Sequence, residues 1–174
     1  MTRISYTEVS ALPDAADQVA FALLLGRIPG VNSTQRLTIA CLNVTIPGSQ
    51  TEAYAVTLHG HTKKYRGRRM NAGTFTATFV EGGDHLIQRQ LLQWKEYVAG
   101  YESGNSQGYL RDYSVLAQIV SYDTTGKVAL RRNVTDVFPA DVPDITHDGS
   151  ASAAMNISVT FSFSRSFPID MPLY

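Results

Sequence analysis

Few side chains in this 174-residue sequence have types and spacing suited to catalysis or metal binding. The single cysteine, Cys41, lies between Ala40 and Leu42 in an apolar stretch, which predicts a buried and unreactive thiol. A metal site would have to combine this thiol with histidines and carboxylates, and the closely spaced histidines are His59 and His61. Structural zinc sites need spaced sets of Cys and His ligands, so we predict that no metal is bound.

The carboxylates suggest no catalytic or calcium-binding group either. Asp141, Asp144 and Asp148 form a cluster in sequence, but it lacks the compact loop and placed glycine of a calcium site. The sequence also has no nucleophile elbow, phosphate-binding loop, dinucleotide glycine motif or metalloprotease helix. We therefore predict a protein that is not an enzyme and has no cofactor.

Two segments carry charge of one sign. The basic segment between His59 and Asn71 contains Lys63, Lys64, Arg66, Arg68 and Arg69. The acidic segment between Val134 and Ser150 contains Asp136, Asp141, Asp144 and Asp148. Both could be solvated loops. The alternative is that they are complementary surfaces joining copies of the chain, since opposite potentials fix register and suppress wrong contacts.

Composition limits the class of protein. Hydrophobic residues are 44% and charged residues 17% of the chain, as in a folded protein. We predict a single domain over residues 1–174, with an N-terminal arm at 1–17 and a C-terminal tail at 167–174. Fifteen basic and 15 acidic residues give no net charge, so the chain is no polyelectrolyte clamp on nucleic acid, and copies do not repel one another.

The same sequence indicates the compartment. One cysteine permits no disulfide within the chain and favours a reducing compartment. No apolar run approaches the length of a membrane span, and the first residues do not resemble a signal peptide. We expect a soluble protein that is cytoplasmic when synthesised and has no membrane partner.

Most of the chain has the patterns of β-strands. Small polar and apolar residues alternate over residues 153–164, and threonine alternates with phenylalanine and alanine over residues 72–80. A turn at residues 123–126 predicts a hairpin. The other predicted strands are residues 18–25, 37–46, 53–58, 113–122 and 127–138.

One helix is predicted between the two groups of strands. Asp84 is the expected N-cap, and Gly100 or Gly104 the expected end. Its apolar residues recur at steps of four and three and share one face, which we expect to pack on the sheets. They are Ile87, Leu91, Trp94, Val98 and Tyr101. The predicted fold class is mainly β, an antiparallel β-sandwich or barrel with one packed α-helix.

Four stretches combine these features in a particular order. Residues 64–79, KYRGRRMNAGTFTATF, form a basic, glycine-containing segment leading into a strand. The helix then contains LLQW at residues 91–94. Residues 134–139, VTDVFP, are followed by Asp148 and by the alternating final strand NISVTFSF at residues 156–163.

In order and spacing these stretches resemble the tail tube protein of contractile-tailed bacteriophages, from about Val19 to Phe167. The resemblance implies a tail-tube (Hcp-like) protomer that forms hexameric rings through paired edge strands. These rings would stack into a hollow tube inside a contractile sheath. Such a tube is a conduit for double-stranded DNA and the tape measure protein during genome ejection into the host. It also meets baseplate and tail terminator proteins, which implies location in the virion tail after assembly in the host cytoplasm.

The resemblance also suggests where rings would meet. The basic segment would be a hairpin-like loop, and the acidic segment, with Pro139 and Pro143 ending strand pairing, a second rim loop. The loop at residues 47–53 is a further candidate for inter-ring contact. We expect a polar channel that is not basic, with the hairpin at residues 113–138 as candidate wall.

Three alternatives remain open at this point. The same fold is used by Hcp-like tubes of type VI secretion and by baseplate proteins that initiate the tube, and fold alone does not separate them. A monomeric ligand-binding β-barrel with the helix as a lid is the third. Particle shape would distinguish these alternatives from a tail tube subunit. Tubes many rings long favour the tail tube subunit, isolated rings a secretion component or tube initiator, and monomers the ligand-binding barrel.

Overall fold

The computed structural model describes residues 20–71, 73–100, 104, 108–144 and 154–169. The predicted N-terminal arm, 1–17, and most of the predicted C-terminal tail, 167–174, lie outside the described residues. The helices in the described part are α1 (Gln35–Ile39), α2 (Leu86–Ala99) and α3 (Leu110–Tyr113). The strands there are β1 (Phe21–Leu25), β2 (Cys41–Val44), β3 (Ser49–Leu58), β4 (His61–Asn71), β5 (Thr74–Val80), β6 (Val115–Tyr122), β7 (Val128–Asp141), β8 (Asn156–Ser162) and β9 (Arg165–Pro168).

Strand β7 joins two antiparallel sheets. Its first part pairs with β6 and β9, and β6 pairs with β1; we call this group sheet A. Its last part pairs with β8, which continues to β5 and β2; we call this group sheet B. Between the two parts, Asp136 has a positive φ of 56° where the register with β6 shifts. Such a bulge bends a strand, so one long strand serves both layers. A mainly β, antiparallel fold with a packed helix is confirmed.

The core lies between the inner faces of the two sheets. Sheet A contributes Leu23 and Ile119, and sheet B contributes Phe79, Val159 and Phe161, all 0–1% exposed. The aromatic rings of Phe79 and Phe161 meet edge to face with centroids 6.4 Å apart. Strict alternation along β5 and β8 places these apolar side chains inward and their polar neighbours outward, as the sequence pattern requires.

Helix α2 covers this core through one face. Ile87, Leu91 and Trp94 are buried, and Val98 is half-buried against the same cluster. The helix ends at Gly100, whose φ of 59° is left-handed and whose N–H donates to the Glu96 carbonyl. Tyr101, the last residue of the predicted face, lies outside the described residues.

The start of α2 differs from the expected cap. The N-cap position belongs to His85, and Asp84 instead pairs with Arg36 while its Oδ1 accepts from Leu86 N–H at 3.4 Å. The capping group is Glu81, 8% exposed, just after the end of β5. Its Oε1 accepts from the N–H of Ile87 at 3.2 Å, and its Oε2 from that of Gln88 at 2.7 Å. A carboxylate there satisfies free donors and complements the positive end of the helix.

Replacing Glu81 with alanine should therefore cost about 1–3 kcal/mol of unfolding free energy, because buried N–H groups lose their acceptor. Asp84→Ala is the matched control, since its ion pair with Arg36 is half exposed and such pairs contribute about 0–1 kcal/mol. Urea unfolding of both variants measures the difference. Equal losses in the two variants would contradict the assignment of Glu81 as the cap.

The turn between β6 and β7 is held by Asp123. Its Oδ1 accepts from the hydroxyl of Thr125 at 2.7 Å and from the N–H groups of Thr125 and Lys127 at 2.8 and 2.9 Å. These hydrogen bonds, the one from the Thr125 hydroxyl first, lower the pKa of the Asp123 carboxyl below its ordinary 3.8. Gly126 follows with a positive φ of 78°, so the hairpin expected at residues 123–126 is present.

Three predictions about strand extent were wrong. The loop expected at residues 47–53 is mostly strand, because β3 already begins at Ser49. Residues 37–46 were expected as one strand, but α1 occupies residues up to Ile39 before β2 begins, because Leu37 is fully buried against the core. Pro139 was expected to end pairing, but it lies inside β7 opposite Phe161. The register shifts beside it, between Pro139 and Asp141, which accommodates a residue without an N–H donor.

Candidate functional site

Among the described strands, β3 and β4 pair with each other and with no strand of the two main sheets. The hairpin they form pairs in register from Ser49 opposite Asn71 to Leu58 opposite His61. The loop is His59-Gly60, with φ of 50° and 80°, the two positive values typical of a tight type I′ turn. The register shifts near Glu52, whose carbonyl oxygen would lie 2.9 Å from any Cβ at Gly67. A side chain at position 67 would clash with the backbone of β3, so a glycine is required there.

One face of this hairpin is aromatic and apolar. Tyr54 and Tyr65 are paired across the strands, and their rings stack with centroids 5.6 Å apart. The Nζ of Lys63 lies 5.3 Å from the centroid of the Tyr65 ring, a cation–π distance. Val56 and Leu58 extend the face towards the turn. We call these five residues the aromatic face of the hairpin.

The opposite face is small, polar and basic. Ala53 lies opposite Arg66, and Ala55 opposite Lys64. The hydroxyls of Thr57 and Thr62 lie 3.0 Å apart nearer the turn. The small residues of β3 leave the two cations projecting into solvent, so this face presents positive charge with little covering it.

Both faces are exposed. The exposed fraction is 54% for Tyr54, 64% for Leu58 and 39% for Tyr65. An isolated two-stranded hairpin is marginally stable in water, and an exposed strand edge is a template for pairing with another chain. The base of the hairpin is attached to the sandwich, where Arg132 Nη1 donates to the Pro47 carbonyl at 2.8 Å. The hairpin thus has the properties of a surface that another protein covers.

The basic segment is therefore a strand and not the rim loop expected from sequence. Its cations divide between the two faces, with Lys63 on the aromatic face and Lys64 and Arg66 on the other. Arg68 is exposed, and Arg69 lies in register with Thr51. The expectation of a single basic patch is corrected by the two-residue alternation of strand side chains.

The acidic segment is also partly strand. Asp136 forms the bulge of β7, and Asp141 is its last residue. Asp144 follows in the chain, and Asp148 lies outside the described residues. Asp141 and Asp144 line an open groove of about 530 Å³ against α2, together with Arg89, Leu92, Gln93, Lys95, Glu96 and Val142. Lys95 Nζ donates to the Ala140 carbonyl across this groove.

The described parts of the two charged segments form no ion pair with each other within one protomer. Among the described residues the ion pairs are Arg36 with Asp84 and Arg111 with Asp112, and neither joins the basic to the acidic segment. Any direct pairing of the described parts of the two segments therefore requires a second copy of the chain.

Among the described strands, both sheets end in open edges. In the described part of the chain, sheet A ends at β1, which pairs with β6, and sheet B ends at β2, which pairs with β5. Beside the β2 edge, Ile39 is 75% and Leu42 is 55% exposed. Open edges flanked by apolar side chains favour strand pairing with another subunit.

The described residues give little support for a reactive thiol, a metal site or a membrane-spanning helix. Burial raises the pKa of the Cys41 thiol to about 11, so the reactive thiolate is scarce at neutral pH. The described residues contain no group of histidine, cysteine and acidic side chains that could hold a metal ion. Within the same residues, no helix has the length and apolar character required to cross a membrane.

The fold and the hairpin together define a structural β-sandwich protein with surfaces suited to association. Comparison with known proteins narrows the class: a family model described as phage tail tube protein matches residues 5–167. The chain therefore belongs to the phage tail tube protein family. It is a tail-tube-type structural subunit and not an enzyme, as the sequence predicts. A search of curated proteins gave no match to this sequence.

Solved structures with a similar fold come from tube assemblies. The tube-terminating cap of the anti-feeding prophage has a TM-score of 0.64 at 12% identity, covering 91% of this chain and 93% of that chain. The sheath/tube terminator of the extracellular contractile injection system PVC has a TM-score of 0.64 at 12% identity, covering 91% and 99%. A chain of the PVC sheath–tube complex has a TM-score of 0.58 at 12% identity, covering 95% and 98%.

The sequence did not identify the aromatic face. Tyr54 lies in β3 and Tyr65 in β4, on opposite sides of the turn, and only the register of the hairpin brings their rings together. The signal that could have found them is the alternation of Tyr54, Val56 and Leu58 ahead of the tight turn.

Proposed function

We propose that this chain is the major tail tube subunit of a contractile-tailed bacteriophage. Copies form hexameric rings, and the rings stack into the conduit through which double-stranded DNA passes during ejection. The tube lies inside the tail sheath, holds the tape measure protein before ejection, and meets the baseplate at one end and a terminator at the other. Its location is the virion tail, after assembly in the host cytoplasm.

The exposed hairpin is the observation that carries this proposal. This strand pair has a stacked tyrosine face on one side and two cations on the other. Its aromatic face exposes apolar area to water, and covering that area with another surface would be favourable. In a stack of rings, the top of one ring meets the different bottom of the next, which is a heterologous contact. We propose that the hairpin of one ring reaches the next ring and is covered there.

The charged segments support the same arrangement. We propose that the two charged segments face each other between neighbouring copies. The hairpin contributes Lys63, Lys64, Arg66, Arg68 and Arg69, and the acidic segment contributes Asp136, Asp141, Asp144 and Asp148. A single surface ion pair contributes about 0–1 kcal/mol. A ring repeats each contact around its circumference, so weak pairs accumulate and set the register between rings.

Reversing Lys63, Lys64 and Arg66 to glutamate should leave the protomer folded but shorten or abolish tubes. High salt should have the same effect on the wild-type protein, because it screens exposed charges. Negative-stain electron microscopy measures tube length, and emission from the single tryptophan reports folding.

The matched control reverses Arg27, Arg111 and Lys127, three exposed cations outside the hairpin, and changes the net charge equally. We expect the control to assemble like the wild type. Tubes of normal length from the Lys63/Lys64/Arg66 variant, with no effect of salt, would show that apolar or backbone contacts drive stacking instead.

A second candidate is a terminal ring of such a tube. The fold similarity to a tube-terminating cap and to a sheath/tube terminator favours it. A tube subunit gives particles many rings long, whereas a terminator or an initiator gives isolated rings, so the same micrographs separate the two.

A further inference from the structure

The outer face of sheet B is covered with hydroxyl groups. Strands β5 and β8 pair residue by residue from Thr74 opposite Ser162 to Val80 opposite Asn156. Their inward side chains are buried in the core, so the alternate positions must face outward. Six of these eight positions carry hydroxyl side chains, and the last pair is Val80 with Asn156. We call the six hydroxyl side chains the hydroxyl face: Thr74, Thr76, Thr78, Ser158, Thr160 and Ser162.

These hydroxyls form rows across the sheet. Thr78 Oγ1 donates to Ser158 Oγ at 3.3 Å, and Ser162 Oγ donates to the Gly73 carbonyl at 3.3 Å. Asn43 of β2, opposite Thr78, extends one row with another uncharged polar side chain. The hydroxyls retain hydrogen-bonding capacity for water, so the face is wettable without being charged.

Charge is absent from both strands of this face. Strand β5 reads TFTATFV and strand β8 reads NISVTFS, with no acidic or basic side chain in either. At the margin, Asp141 lies opposite Thr160 and adds one carboxylate. The face is therefore neutral at its centre and acidic at one edge.

The outer face of sheet A has different chemistry. Leu116 and Phe167 are 51% and 42% exposed there. Arg131 lies on the same side, opposite Val120, and Arg165 lies opposite Thr135. Apolar and basic groups of this kind suit contact with protein or with phosphate, which is the opposite of an inert surface.

We propose that the hydroxyl face lines the channel of the assembled tube, so that the channel wall does not bind a polyanion passing through it. This inference rests on the proposed function. Affinity for nucleic acid comes mainly from lysine and arginine contacts with phosphate, and the wall offers none at its centre. The channel wall is thus β5 and β8, instead of the hairpin at residues 113–138 that the sequence favoured.

The arrangement also agrees with the open edge of sheet B. Strand β2, next to β5, is the edge at which a neighbouring subunit can continue the sheet. A sandwich has two outer faces on opposite sides, so a channel lined by sheet B directs the outer face of sheet A away from the channel. The two faces can therefore be distinguished by one experiment.

The test places single cysteines on each face in a Cys41→Ala background. Thr76→Cys and Ser158→Cys report on the hydroxyl face, and Leu116→Cys is the matched control on sheet A. Each variant is assembled into tubes and treated with N-ethylmaleimide or with a maleimide on a polymer too large for the channel. Unassembled protomer, checked by tryptophan emission for its fold, gives the reference rate.

In tubes, we expect Thr76→Cys and Ser158→Cys to lose reaction with the polymer reagent but to keep reaction with N-ethylmaleimide. Leu116→Cys should keep reaction with the polymer reagent. Any result without this selective protection overturns the channel assignment, including loss of both reactions at Thr76→Cys, which would indicate a subunit interface. A wild-type protein that forms neither rings nor tubes overturns the proposed function and this inference with it, whereas tubes with an unprotected hydroxyl face overturn the inference alone.

Discussion

Replacing Trp94 with alanine should lower the free energy of unfolding by about 3–5 kcal/mol, which is the usual cost of removing a large buried aromatic side chain. Trp94 is fully buried, and its ring lies 5.8 Å from that of Phe161 between centroids. Its Nε1 also donates to the Tyr113 carbonyl at 2.8 Å. The ring therefore joins α2, the core and the end of α3, and alanine would leave a cavity and an acceptor without its donor.

Urea unfolding followed by circular dichroism measures this loss, and Gln93→Ala at the exposed neighbouring position is the control. Because the chain has one tryptophan, emission of the wild-type protein reports the environment of Trp94 directly. We expect blue-shifted emission from the folded protein. Red-shifted emission, together with near-wild-type stability of Trp94→Ala, would mean that the ring is exposed and free for contact with another protein.

Shortening the hairpin should abolish stacking without unfolding the protomer. Gln50 and Met70 are paired across β3 and β4, so an Asn-Gly turn in place of residues 51–69 can join them. The variant lacks the aromatic face and the basic residues but keeps every strand of the sandwich. We expect tryptophan emission and unfolding free energy close to those of the wild type, and loss of tubes in electron micrographs.

A matched control changes only the turn, with Asn-Gly in place of His59-Gly60. Both positions already have positive φ, which asparagine and glycine adopt readily, so the control should fold and stack normally. Tubes of normal length from the shortened variant would contradict a role for the hairpin in stacking. Loss of the protomer fold in that variant would show instead that the hairpin supports the sandwich.

Sequence patterns predicted best where one face of an element is buried. The alternation in β5 and β8 and the regular face of α2 follow from burial against one core, so their periodicity is visible in the residues themselves. Strand β4 has no such pattern because both of its faces are exposed, and its run of cations was therefore interpreted as a loop.

Other errors came from contacts that are distant in sequence. Helix α1 contains Thr38 and Ile39, which favour strands, and its helical conformation depends on burial of Leu37 against the sheets. The capping of α2 by Glu81 depends on where β5 ends in space relative to the first turn of the helix, which no local pattern encodes. Strand β9 was missed because Phe163 and Ser164 separate it from β8, and its partner is the distant strand β7.

The family of the chain could be inferred from the order of weak motifs, whereas the assembly surfaces could not. The stacked pair of Tyr54 and Tyr65 and the separation of Lys63 from Lys64 are set by strand register. The hydroxyl face is visible in the sequence as alternating threonine and serine, but its neutrality across two strands becomes meaningful once β5 and β8 are known to be neighbours.

Electron microscopy of the purified wild-type protein tests the central claim most directly. The 174-residue chain is concentrated at low salt, where the charged segments attract most strongly, and imaged in negative stain. A tail tube subunit is expected to give hollow tubes built from stacked hexameric rings, with stain entering a continuous axial channel. A uniform population of monomers at every concentration and salt, with the protein folded, would contradict it.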